Sequence, residues 1–233
     1  MGVPRVLVFA DISSTLDVAH AEAATGTPAG TVIVADAQSA GRGRLGRSWA
    51  SGSGAGVWLT IVERPETSTD LEALPLRVGI ELAPALDPFA DAPVQLKWPN
   101  DLYVSGRKLA GVLAEARWRD GALDWIAIGV GINVRAPEGQ SHGIGLRDGT
   151  SRIDVLAAAV PAIRAAAARR GPLGATERAR FAERDLAVGR RCTEPAVGRV
   201  VGIDDRGALL IDSGGEVAIV RAGSLVLTEE DDA

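Results

Sequence analysis

Residues 41–47, Gly41-Arg42-Gly43-Arg44-Leu45-Gly46-Arg47, set three arginines among three glycines, and Ser48 and Trp49 follow. Glycines let backbone N–H groups converge on an anion and permit positive φ. Arginines add charge-assisted, bidentate bonds to phosphate. Such a segment can order around a phosphate-bearing ligand and close over it. The plain alternative is a solvated surface loop. The spacing is not that of a GxxxxGK[ST] phosphate loop, and no helical pattern follows it as a dinucleotide fingerprint requires.

A second polar set lies in KWPNDLYVSGRKLAGVLAE (97–115). Lys97, Asn100, Asp101 and Lys108 interrupt apolar, strand-like runs. Pro99 fixes a turn able to aim Asn100 and Asp101 at one place. Just after Lys108, Ala110-Gly111 lets a backbone approach a ligand closely. On its own this reads as a hairpin with exposed charges. A third set, GVGINV (129–134), is a strand that ends on Asn133; alone it is a glycine bend in a strand.

These residues need elements to hold them. RVLVFA (5–10), TVIVADAQ (31–38) and VWLTIVE (57–63) read as buried strands, the second delivering the chain into the arginine segment. Ser13, Ser14 or Thr15 caps a helix that ends near Gly26. Residues 70–89 are apolar at helical spacing, with Pro84 near the end. VQLKW (94–98) is a strand, PND a turn, and 102–118 a hairpin around Ser105-Gly106. Residues 122–134 form another strand, and 152–170 and 175–186 are helical. After Leu186 short strands alternate with DDRG, DSGG and RAGS turns, which describes a small all-β unit of about 45 residues. The acidic TEEDDA tail is expected to fray.

The 233 residues suit one large domain, or a medium one with a small one attached. The net charge of -5 disfavours a general attraction to nucleic acid, so a basic loop on an acidic body points to a small anionic ligand. One cysteine, Cys192, excludes an internal disulfide and a cysteine-rich metal site. No run approaches the roughly 20 apolar residues of a spanning helix, and the N-terminal apolar run is too short for a signal peptide. A cytoplasmic protein is expected. His20 reads as a helix-surface residue and His142 as part of a glycine-rich loop, neither catalytic. Trp58, Trp98, Trp118 and Trp125 read as core, and Cys192 as a small buried side chain.

The three motifs in this order, GRGRLGR-SW, then KWPNDL–RKLAG, then GVGIN, resemble the biotin protein ligase family, over roughly residues 5 to 228. The resemblance implies an α+β chain: a mixed-sheet, class II synthetase-like catalytic domain (1–186), then a small SH3-like β-barrel (187–233). It implies an enzyme that joins biotin to ATP as biotinyl-5'-AMP. The biotinyl group then passes to a lysine of the carrier domain of a biotin-dependent carboxylase. Mg²⁺ would accompany ATP, with no protein side chain identified as its ligand. Lys108, Arg44 and Asp101 are the implied catalytic residues. Biotin would be held by Ser14, Thr15, Gln38, Gly41, Arg42, Lys108, Gly111 and Leu113. ATP and the adenylate would be held by Gly43, Arg44, Arg47, Trp49, Asn100 and Asn133. Trp98 and nearby aliphatic strands would suit the apolar part of biotin.

Two positions depart from the family pattern. Leu16 stands where an asparagine usually follows the serine-threonine pair, and Gly56 replaces an asparagine before the third strand, which would loosen the loop anchor. The first strand begins near residue 5, so no DNA-binding segment, and no DNA or membrane partner, is expected; a homodimer stays open. A lipoate or octanoate ligase on the same fold, a non-catalytic binding regulator and a nucleic-acid binder are the competing readings. KWPND beside GRGRxGR favours biotin.

Overall fold

The computed structural model describes residues 2–65 and 71–228. Asp70, where the second helix was expected to start, and the tail from residue 229 lie outside them. The first layer of the chain runs β1 (Val6–Ile12), α1 (Thr15–Ala24), β2 (Thr31–Gln38), β3 (Gly56–Glu63), α2 (Leu74–Leu86), β4 (Gln95–Lys97), β5 (Asp101–Val104), β6 (Arg107–Arg119), β7 (Ala122–Asn133), α3 (Arg152–Ala168) and α4 (Ala175–Ala182). Its seven strands form one mixed sheet in the order β1-β2-β3-β7-β6-β5-β4. Only β1 and β2 pair in parallel; the remaining neighbours are antiparallel.

The period-2 alternation of strand side chains decides what each face does. On one face Val57, Leu59 and Ile61 of β3 and Ile126, Ile128, Val130 and Ile132 of β7 are buried in the main core, with α2 and α3 packed over it. The other face carries Trp125, Ala127, Gly129, Gly131 and Asn133 of β7, and α1 covers part of it through Leu16, Ala19 and Ala23. The two glycines therefore fall together on the second face and leave it bare of side chains. The β5–β6 turn has Ser105 and Gly106 at φ 48 and 72, the left-handed pair that a two-residue hairpin demands.

Helix α1 begins where Ser14 Oγ accepts the Leu16 N–H at 3.2 Å. Helix α2 opens with Pro75 in its first turn and carries Pro84 near its end. Arg77 of α2, buried, pairs with Glu177 of α4 at 2.7 Å and clamps the two helices.

The second sheet, β8 (Arg191–Glu194), β9 (Gly198–Ile203), β10 (Leu209–Asp212), β11 (Val217–Val220) and β12 (Val226–Leu227), is antiparallel in the order β11-β10-β9-β8-β12. Cys192 is buried in it. The small sheet is docked on the large one: Trp98 Nε1 donates to the Gly207 carbonyl at 2.9 Å, and Leu173 N–H to the Asp205 carbonyl at 2.6 Å.

Four expectations need correcting. β1 is not buried; it is the sheet's edge, with Val8 76% exposed, because only β2 flanks it. Trp118 is exposed, not core, because β6 runs beyond the helices that cover the sheet. His20 is mostly buried against β6 and β7 rather than on the helix surface. Gly56 does not loosen its surroundings: a Cβ there would lie 2.3 Å from the Trp58 ring and 2.5 Å from the Ile132 carbonyl oxygen, so the glycine permits close packing.

Candidate active site

A cavity of about 390 Å³ opens on the glycine-bearing face, between the arginine loop, the turn before β5 and the second sheet. All the site residues expected from sequence border it except Gly41. Gly41 sits at the base of the loop, where a Cβ would come within 2.5 Å of the Trp49 carbonyl oxygen. Its role there is to let the two limbs of the loop approach. Trp49 N–H donates to the Gly41 carbonyl, Gly43 N–H to the Arg47 carbonyl, and Leu45 and Gly46 turn the tip at φ 55 and 72.

One end of the cavity is neutral and rich in hydrogen bonds. Gln38 Oε1 accepts from the Thr15 N–H (2.8 Å) and hydroxyl (3.1 Å), and Gln38 Nε2 donates to Ser51 Oγ (2.7 Å). Thr60 donates to the Thr15 hydroxyl at 2.9 Å. Leu16 forms an apolar wall beside this end, its side chain filling the space over Gly129, where a Cβ would lie 3.1 Å from it. Its backbone N–H is already held by Ser14. The asparagine-to-leucine departure thus exchanges a polar group for packing.

The middle of the floor is backbone. Gly111 and Gly131 face each other across β6 and β7, and the Trp49 indole lies on both. A Cβ at Gly131 would be 2.5 Å from Trp49 Nε1. That indole nitrogen is buried and has no hydrogen-bond acceptor among the described residues.

The far end is cationic. Lys108 Nζ lies 2.7 Å from Asp101 Oδ1 and 5.1 Å from the Trp49 ring centroid. Arg44 donates to Asn100 Oδ1 at 3.2 Å and to the Gly223 carbonyl at 3.4 Å, and Arg47 donates to Ser224 Oγ at 3.3 Å. Asn100 Nδ2 in turn holds the Val112 carbonyl at 2.7 Å, which ties the turn to β6. Asn133 is buried, and its Nδ2 donates to the Lys108 carbonyl at 3.4 Å. Burial holds Arg44 and Lys97 below their ordinary values against the pull of the Asp101 carboxylate, and burial together with Asp101 pushes Tyr103 up to about 12. Clustered cations whose charge is costly in isolation are what a polyanion would relieve.

Arg42 is the exception among the loop cations. It borders the cavity, but its guanidinium is engaged by Asp17 (3.0 Å) and Glu115 (3.1 Å). Trp98 borders the cavity too, with its polar edge committed to the second sheet. The expectations from sequence omitted Thr60, Tyr103, Gly223 and Ser224. Thr60 had a signal, a lone hydroxyl at an inward position of an apolar strand. Gly223 and Ser224 had none, being 179 and 177 residues from their arginine partners.

Residues 8–133 match the biotin/lipoate A/B protein ligase family, and residues 189–229 match the biotin protein ligase C terminal domain. The chain is 34% identical to the biotin--[acetyl-CoA-carboxylase] ligase of Mycobacterium tuberculosis, over 94% of this chain and 87% of that one. It is 37% identical over 130 residues to the bifunctional ligase/repressor BirA of Bacillus subtilis, spanning 55% of this chain and about 40% of that protein's length. The biotin protein ligase of Aquifex aeolicus, solved in complex with biotin and ATP, superposes with a TM-score of 0.79 at 26% identity, over 97% of this chain and 99% of that one. No helix among the described residues is long and apolar enough to cross a membrane. The mixed sheet, the small antiparallel sheet docked beside it and both sequence matches agree: the chain belongs to the biotin protein ligase family.

Proposed function

We propose that this protein is an ATP-dependent biotin ligase that makes biotinyl-5'-AMP and passes the biotinyl group to a lysine of a carrier domain. The observation that carries the reading is the polarity gradient along one cavity. A neutral hydrogen-bonding end built on Thr15 and Gln38 gives way to a glycine and aliphatic floor, then to Lys108, Arg44 and Arg47. That sequence fits a ureido head, an apolar chain, and a carboxylate meeting a triphosphate. The biotin, the ATP and the carboxylase named for relatives are brought to this chain on that ground.

In the first step the biotin carboxylate oxygen bonds to the α-phosphorus, and the bond to the β-phosphate oxygen breaks to release pyrophosphate. Lys108 offsets the repulsion between the two approaching anions, and Arg44 holds the resulting phosphate. Trp49 offers the aromatic face on which the adenine stacks. In the second step a neutral lysine amine of the carrier attacks the acyl carbon, AMP leaves, and Asp101 orients the amine or takes its proton. No protein nucleophile is needed.

Among the described residues no cluster of three or more His, Cys, Asp or Glu side chains could hold a metal. The side-chain oxygen donors at the phosphate end are Asp101, paired with Lys108 at 2.7 Å, and Asn100, which accepts from Arg44 at 3.2 Å; as hard oxygen ligands they would suit a hard cation that arrives with ATP. When bound, Mg²⁺ supplies charge neutralisation on the leaving pyrophosphate.

Biotin-dependent exchange of labelled pyrophosphate into ATP tests the reading, with lipoate and octanoate as controls. Exchange with biotin alone supports it. Exchange only with a fatty acid moves the assignment to an acyl ligase, and none with any acid leaves a binding protein.

A further inference from the structure

The loop that closes the cavity has little apolar packing of its own. Leu45 at its tip is 69% exposed, and open space of about 520 Å³ flanks it beside Leu113 and Glu115. What holds its base is a chain of polar contacts across the site face of the sheet. Arg42 pairs with Asp17 of α1 and, through both nitrogens, with Glu115 of β6, at 3.1 and 3.4 Å. Glu115 Oε2 lies 2.8 Å from His20 Nε2, and Trp125 Nε1 donates to His20 Nδ1 at 2.9 Å. An indole N–H can only donate, so Nδ1 accepts and Nε2 carries the proton that Glu115 receives. Beyond Trp125 the chain is closed by Arg64, whose guanidinium carbon lies 5.7 Å from the indole centroid and which pairs with Asp124 at 2.8 Å.

Each link has directional consequences. The tautomer of His20 is set by a residue of β7, Glu115 is oriented by His20, and the oriented carboxylate receives the Arg42 guanidinium two-pronged. Glu115 sits on the same face of β6 as Gly111 and Leu113, so its displacement moves the loop relative to the floor of the cavity. None of His20, Glu115 and Asp17 borders the cavity itself.

We propose that Glu115 and His20 are positioning residues of the arginine loop: with Asp17 they grip Arg42 at its base and set how tightly the loop encloses the adenylate. This rests on the ligase reading for the identity of what is enclosed. The grip itself involves only side chains of this chain.

Trypsin offers a readout that needs no ligand, because Arg42, Arg44 and Arg47 are its cleavage sites within the loop. Initial cleavage rates there, followed by mass spectrometry, are expected to rise about fivefold in Glu115→Gln, as the loss of one partly buried ion pair shifts the opening equilibrium. His20→Ala is expected to act alike, and His20→Gln, which can still donate to Glu115, to restore the slow rate. Asp17→Asn covers the case in which the buried variants do not fold, since its carboxylate is half exposed. In the adenylating protein the same variants are expected to raise the KM for biotin more than they lower kcat, and to increase labelling of a bystander protein. Wild-type cleavage and wild-type bystander labelling in the folded variants would overturn the proposal. If wild-type protein shows no biotin-dependent exchange, the ligase reading fails, while the cleavage rates still decide whether the relay holds the loop.

Discussion

Lys108→Ala removes the one ammonium placed between Asp101, at 2.7 Å, and the face of Trp49, at 5.1 Å. The reaction proposed for this cavity brings a carboxylate to an α-phosphate. Two unit charges ~4 Å apart repel by about 4 kcal/mol at an effective dielectric near 20. A cation already in place offsets most of that without reorganising. Losing one such preorganised group typically costs about 3 kcal/mol, or roughly 10² to 10³ in rate. The fold should hardly notice. The Lys108–Asp101 pair is partly exposed, 27% and 20% for the two side chains, and pairs of that kind contribute about 0–1 kcal/mol. The expected result is therefore a split. Biotin-dependent pyrophosphate exchange falls at least ~100-fold, while Tm moves by no more than a few degrees, on the order expected for 1 kcal/mol. Exchange within threefold of wild type in the folded variant would refute the placement of Lys108 at the reacting carboxylate. A large fall in Tm with residual specific activity intact would show its role to be structural instead.

Three further outcomes are expected. Arg44→Gly removes both the grip on Asn100 and the tie to Gly223, so the variant should release biotinyl-5'-AMP and label lysines of bystander proteins; tight retention of the adenylate on gel filtration counts against the role. Gly131→Ala places a Cβ 2.5 Å from Trp49 Nε1 and must push the indole off the floor; the emission maximum should move to the red and adenylation should fall more than about tenfold, by analogy with misplacing a positioning group. Burial raises the Asp185 carboxyl to about 6, so ionising it costs stability in the folded protein. The sign follows from linkage: its contribution is fully present below an unfolded value near 3.9 and is lost as pH rises through about 6. Asp185→Asn should accordingly stabilise the protein at pH 8 by on the order of 2 kcal/mol and by much less at pH 4.5, in urea melts at the two pH values. Equal effects at both pH values would exclude the buried-carboxylate account.

The large elements were legible along the chain because their signals are local. Short apolar runs predicted β2, β3 and β7 nearly to the residue, the Ser13-Ser14-Thr15 run announced α1, Ser105-Gly106 marked the hairpin, and the change to short strands after Leu186 announced the second sheet. The α+β class came from the resemblance to the biotin protein ligases, carried by the three motifs in order. Edge and centre were not legible, because RVLVFA and TVIVADAQ look alike until their neighbours are known; β1 has one and β2 has two. Trp118 was misread for the same reason, since a strand's apolar residue is buried only where something covers it.

The candidate site divides along the same line. Residue types and short spacings drew attention to the arginine loop, Lys108 and Asp101, since phosphate chemistry restricts which side chains will serve, but their roles came from the order of the three motifs and the family it resembles. Only the folded sheet put Gly111 opposite Gly131 under Trp49, and only the docking of the second sheet put Gly223 and Ser224 against Arg44 and Arg47. His20 and Glu115, 95 residues apart, meet because α1 crosses the face on which β6 exposes every second residue. Such pairings depend on register and on the angle at which elements pack, quantities set by the whole core, and no window of sequence contains them.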